Sequence, residues 1–351
     1  MQMQRPILIL LLLTALACHK NAPITRSYRM GFQGSAPRPD INLYLQALAI
    51  WSTRADAAII SIQVPWDSLL NGEDPVAYVQ YNFNSVVSYY RSRQLSLWVY
   101  IDPENGLDRT RDADDLSALG GSITQAADQL VYRRFVLVMD SLLKPDHLGL
   151  ALETNLIRAA APSAIYQGVK QAVNAAAADI KGVDGHVPLS VSVQAEVAWG
   201  LIGGTGYAGI TQDRQDFPFL QEIGISSYPY ISYKTPGDLP DDYYARIAGT
   251  TPCFVSEGGW TSAAIDANGQ TIQSTPQAQA AYITRQGQLL RNAGAIGLFQ
   301  LTFTDLELGG WPPQDQTGLE PFAFLGLVDS ALAPKPALAA WDTLFQEPRA
   351  Q

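Results

Sequence analysis

Two glutamates stand where side chains of their charge are out of place. Glu153 closes the apolar run "LALETN" (150–155) and Glu257 closes "FVSEGG" (254–259). Each run reads as a buried strand, so each carboxylate sits at a strand's carboxyl end. If both strands belong to one sheet, the two groups can face each other across its open end. Two facing carboxylates, one protonated and one ionised, are the arrangement that glycosidic bond cleavage requires. The neighbouring strand ends carry residues suited to a hydroxyl-rich ligand. Four of the seven tryptophans, Trp66, Trp199, Trp260 and Trp311, follow strand-like runs, and flat aromatic faces pack on the apolar faces of sugar rings. "YIDPENGLDR" (100–109) adds Asp102, and "FTDLE" (303–307) adds Asp305, each either a ligand for sugar hydroxyls or a cap for loop backbone.

Other chemistries lack parts. The three histidines are His19, His147 and His186, and the last two precede strand-like runs, away from the carboxyl ends. No base is placed for a serine or cysteine triad, and no histidine set for a metal. No cofactor is called for. Cys253 lies in an apolar run and reads as an inert core thiol. "DRTRDADD" (108–115) lacks the glycine and ligand spacing of a calcium loop and reads as a solvated loop. A net charge of −10, with no basic cluster, disfavours nucleic acid.

Eight strand-like runs position these residues: 27–35, 57–66, 95–102, 147–155, 187–194, 222–230, 251–260 and 294–303. Stretches of helical periodicity separate them, the first starting at Asp40 as N-cap, while the connection between the fifth and sixth runs is irregular and allows only a short helix. Alternation of this kind gives a parallel sheet, and eight strands close into an α/β single (β/α)8 TIM barrel over residues 28–348. The rival doubly wound sheet would show a G-x-G-x-x-G turn after its first strand, and "GFQGSAPRP" does not. In the barrel the carboxyl ends of the strands form one face, and the fourth and seventh strands oppose each other across it.

At the N-terminus, Arg5 precedes an eleven-residue apolar run, Ile7–Ala17, too short to span a bilayer as a helix. Residues 1–17 read as a signal peptide of lipoprotein type with Cys18 as the lipidated residue. The expectation is a bacterial envelope protein, anchored by lipid or secreted, whose contact with membrane is through that anchor alone.

The strand-end motifs "LALETN", "ISSYPY" (225–230) and "VSEGGW" (255–260) resemble those of glycoside hydrolase clan A, the last being similar to motifs of family 53 endo-galactanases and family 17 endo-glucanases. The resemblance covers most of the chain in layout and three short motifs in residues. It implies that Glu153 is the general acid/base, Glu257 the nucleophile, and Tyr228 a donor to Glu257, in a retaining double displacement on a β-linked oligo- or polysaccharide. It further implies a raised pKa at Glu153. Leu152 stands where the clan has asparagine before the acid/base, and Asn155 offers an amide two residues beyond. A carbohydrate-binding protein without turnover on the same scaffold is the alternative, and Leu152 is its support.

Overall fold

The computed structural model describes residues 24–204, 206–267 and 270–350. The signal-peptide and Cys18 readings lie outside the described residues. Among the described residues, nine strands form one parallel sheet: β1 (Arg29–Gln33), β2 (Ala57–Gln63), β3 (Ser96–Asp102), β4 (His147–Gly149), β5 (Leu189–Ser190), β6 (Ser192–Gln194), β7 (Ile223–Ser227), β8 (Cys253–Gly258) and β11 (Gly297–Gln300). A small antiparallel hairpin, β9 (Ile265–Ala267) and β10 (Gln270–Ile272), is inserted after β8. The sheet order is β5-β4-β3-β2-β1-β11-β8-β7-β6. Its two ends, β5 and β6, are one run of chain interrupted at Val191, so the sheet closes on itself as eight staves. The Ser192 N–H, bonded to Ala151 O at 2.9 Å, carries the β4 pairing past the interruption. The expected (β/α)8 barrel is thus the fold observed, and the eight sequence runs map onto β1, β2, β3, β4, β5/β6, β7, β8 and β11 in order.

Helices follow the staves on the outside. Ile41–Trp51 is capped by Asp40, whose carboxylate accepts from the N–H groups of Asn42 and Leu43. Pro75–Ser92, Ala126–Leu143, Ser163–Val183, Pro276–Asn292 and Pro336–Phe345 are the other long ones. Between β6 and β7 the described residues make the short helices Ala195–Ala198 and Thr211–Asp216. The larger apolar core lies between staves and helices, and Trp51 and Trp341 are buried in it. A smaller core fills the barrel: Ala57, Ile59, Trp98, Tyr100, Leu152, Phe254 and Phe299. Tyr100 crosses this interior, and two glycines make room for it. A Cβ at Gly149 would lie 2.2 Å from the Tyr100 ring and one at Gly224 2.4 Å from its hydroxyl.

Candidate active site

Glu257 reaches the barrel mouth through an irregularity. On β8, Phe254 belongs to the barrel interior, while Cys253 and Val255 belong to the outer core. Strict alternation would therefore send Glu257 outward as well. The register against β7 instead passes from Ile225↔Val255 to Ser226↔Glu257, a bulge that leaves Ser256 as the extra residue and re-aims the glutamate. Gly258 follows at φ 147°, and a Cβ there would lie 2.2 Å from Ser227 O. Tyr228, just past β7, donates its hydroxyl to Glu257 Oε1 at 3.1 Å.

Glu153 is the N-cap of the helix Thr154–Ala160 and has left-handed backbone, φ 51° and ψ 43°. For a side chain with a Cβ this conformation costs about 1–2 kcal/mol. Its N–H donates to Ser192 Oγ at 2.8 Å, and Thr154 and Arg158, on the same helix, bond the fully buried Asp213. These contacts hold the strained residue in place.

The two glutamates are linked electrostatically through Arg109, which rises from the loop after β3. Arg109 Nε donates to Glu153 Oε2 at 3.1 Å and Nη1 to Asp102 Oδ2 at 2.5 Å, with all three side chains almost closed to solvent. Burial works against the guanidinium charge, but Asp102 and Glu153 outweigh it and keep Arg109 firmly cationic. The Glu257 carboxyl is pushed up to about 7, first by burial and then by the negative charge of Glu153, with Arg109, Tyr228 and Ser226 opposing. Glu257 is thus a raised acid. The sequence reading assigned Arg109 to a solvated loop, and the fold closes it over two carboxylates.

The remaining sequence candidates divide. Asp102 joins the cluster, its pKa raised by burial and held back by Arg109. Asn155 lies beside Glu153 but is engaged with backbone: its amide nitrogen donates to Gln194 O at 2.9 Å and its oxygen accepts from Gln194 N–H at 2.8 Å. Leu152 packs into the barrel core and supplies no amide. Trp66 and Trp260 are buried, their indole N–H groups donating to Pro103 O and Ser274 Oγ, so neither presents a ring face. Trp199 is half-buried, stacked on Tyr243 with Arg246 over its ring. Trp311 is half-buried and donates to Pro37 O. Asp305 pairs with Lys335 at 2.6 Å. Platform and ligand roles inferred from strand-end position alone overlook this burial and pairing, which depend on contacts distant in sequence.

Two further carboxyls belong to this end of the barrel. Glu196, just past β6, is fully buried; its Oε1 accepts from the Tyr228 N–H at 3.0 Å and the Tyr243 hydroxyl at 2.8 Å. Burial pushes its pKa up to about 7. Applied to "SVQAEVAW", the strand-end rule that found Glu153 and Glu257 would have found it too. Glu104 is buried with neither oxygen bonded, and burial with Asp112 and Asp102 nearby pushes it up to about 9. Nothing in its spacing announces that burial.

No family model matches the sequence, and no curated protein matches it. Solved structures do match in shape. An exo-β-1,4-mannosidase from Opitutaceae bacterium strain TAV5 superposes with a TM-score of 0.65 at 14% identity, covering 92% of this chain and 60% of that one. A GH5_18 protein from Bifidobacterium longum subsp. infantis gives 0.61 at 16% identity, covering 93% and 80%. A β-D-glucuronidase from Dictyoglomus thermophilum gives 0.59 at 11%, covering 93% and 51%. The chain thus spans 60% of the mannosidase and about half of the glucuronidase. At these identities the likeness is one of fold, and in fold the chain is a (β/α)8 barrel of the kind on which these glycosidases, and the clan A enzymes its motifs resemble, are built.

Proposed function

We propose that this protein is a retaining glycoside hydrolase acting on β-linked glycans, with Glu257 as nucleophile and Glu153 as general acid/base. The observation that carries the reading is the pair of carboxyls at the barrel mouth: Glu257 on β8 feels the charge of Glu153 beyond β4, Arg109 binds Glu153, and Tyr228 donates to Glu257, the one in the nucleophile position. In the first step Glu257 forms a bond to the anomeric carbon as the glycosidic C–O bond breaks and Glu153 gives its proton to the departing oxygen. In the second, Glu153 takes a proton from water, which displaces Glu257. A glycosidic oxygen that accepts a hydrogen bond from Glu153 aligns that carboxyl for the proton transfer of the first step. The chain's N-terminal features fit export, with Cys18 as lipid anchor; mass spectrometry of the mature N-terminal peptide tests this.

The experiment is hydrolysis of aryl β-glycosides and β-linked oligosaccharides by the wild type, Glu153→Gln and Glu257→Gln, with circular dichroism to confirm folding. Loss of the acid at Glu153 should lower turnover about 10²–10⁴-fold on natural leaving groups. The loss should be much smaller on dinitrophenyl glycosides, whose leaving group needs no proton, whereas Glu257→Gln should be inactive on both. The ion pair between Arg109 and Glu153, with Leu152 beside it, favours a second reading, a sugar-binding protein without turnover. That reading expects glycan binding unchanged in both variants and no product from any of the three proteins.

A further inference from the structure

The connection from β11 to the helix Pro336–Phe345 is tied to the loops after β1, β3, β7 and β8 at the barrel mouth. It meets the loop after β1 through Glu307 N–H and the Trp311 indole, both donating to Pro37 O, at 2.7 and 2.9 Å. It meets the loop after β3 where its helix Pro313–Leu319 lies against Leu107; a Cβ on Gly318 would be 3.0 Å from Leu107 Cδ1. It meets the loop after β7 twice. The Tyr230 hydroxyl donates to Pro321 O at 2.9 Å, and Phe322 stands edge-on to Tyr228 with ring centroids 5.1 Å apart. The Ser262 N–H, after β8, donates to Phe324 O at 3.0 Å. Going round the barrel, the tied sector runs from β7 through β8, β11 and β1 to the loop after β3. The sector over β4 and β5/β6 receives no such tie among the described contacts.

We propose that this segment is a strap that makes the mouth a pocket with one open side, so that the substrate is a chain end, the terminal non-reducing residue of a β-linked glycan. The inference rests on the glycosidase reading above and adds the mode of attack. Glu257 lies on the strapped side, one ring from Phe322 through Tyr228, while Glu153, beneath Arg109, comes from β4 in the sector without such a tie. The bond to Glu257 forms at the anomeric carbon of the sugar that stays, so that sugar occupies the strapped side. The proton from Glu153 goes to the oxygen of the sugar that leaves, so the leaving chain extends through the open side. A polymer threaded through the site would need a second exit beneath the strap. Tyr230 and Phe322 tie the strap down on that side.

The test follows early products made by the wild-type chain from β-linked oligosaccharides tagged at the reducing end with 2-aminobenzamide. A matched set is blocked at the non-reducing end by a benzylidene group, and aryl β-monoglycosides are assayed in parallel. The expected result is release of monosaccharide with a tagged product shorter by one residue, and a rate on blocked chains at least about 100-fold lower, as for a group that the pocket must exclude. Replacement of Pro313–Leu319 by Gly-Ser-Gly should restore cleavage of blocked chains while aryl-glycoside turnover persists. Tagged products of many lengths appearing together from the wild type, with aryl glycosides still cleaved, would overturn the strap and leave the glycosidase reading standing. No turnover of aryl glycosides or oligosaccharides would overturn both. If the replaced variant fails to fold, the wild-type product pattern still decides.

Discussion

Arg109 governs the site's charge balance. Its guanidinium lies between Asp102 and Glu153, and removing it strands two carboxylates in a region closed to water. Arg109→Met should lower the free energy of unfolding by about 3–5 kcal/mol, as loss of one partner from a buried ion pair does, measured by urea denaturation. Adding Asp102→Asn to that variant should recover part of the loss, because one of the stranded charges is then gone. If Arg109→Met is as stable as wild type, the triad is not formed in solution. Glu257 gives a second test at this scale. Since its carboxyl is pushed up to about 7 partly by Glu153, Glu153→Gln should lower the Glu257 pKa, read from the pH dependence of its carbodiimide modification. An unchanged profile would separate the two groups.

At the scale of elements, two local departures from regular structure place the two glutamates. The bulge in β8 turns Glu257 to the mouth, and the left-handed residue at the end of β4 turns Glu153. The helix that starts at Glu153 is fastened from outside the barrel: Asp213 accepts from Thr154 Oγ1 at 3.0 Å and from both terminal nitrogens of Arg158 at 2.7 and 3.0 Å. Asp213→Ala should cost about 2 kcal/mol of stability, since it leaves buried donors unmatched. It should also lower turnover through loosened placement of Glu153, with a larger effect on oligosaccharides than on dinitrophenyl glycosides. Equal effects on both substrates would assign Asp213 a purely structural role.

For the whole molecule, buried acids set an unusual pH dependence. Glu104, Glu196 and Glu257 are held up at about 9, 7 and 7, against an ordinary value of 4.5. A carboxyl whose folded-state pKa lies above its unfolded value keeps a proton that the unfolded chain has released. Stability therefore falls as pH rises between the two values and stays lowered above the upper one. The melting temperature should decline from about pH 5 to pH 9, and Glu104→Gln should flatten that decline throughout while Glu196→Gln flattens only the part below about pH 7. A melting temperature that rises across this range in the wild type would show that these acids ionise freely in the folded protein.

The sequence by itself determined the eight staves, their order and the closed parallel barrel, because strand and helix periodicities are local signals repeated along the chain and eight units close. It also placed Glu153, Tyr228 and Glu257 at the carboxyl ends of staves, since those positions follow from where each apolar run stops. Glu196 was legible by the same rule. Only the tertiary structure decided that Arg109 joins the site, that Trp66 and Trp260 are closed off, that Asn155 binds backbone, and that the long connection after β11 is tied to the loops after β1, β3, β7 and β8. Each of these depends on which loops meet, and loops meet through contacts between residues far apart in sequence, which no local pattern encodes. The orientation of Glu257 has the same origin. Alternation along β8 points it outward, and only pairing with β7 introduces the extra residue that turns it in.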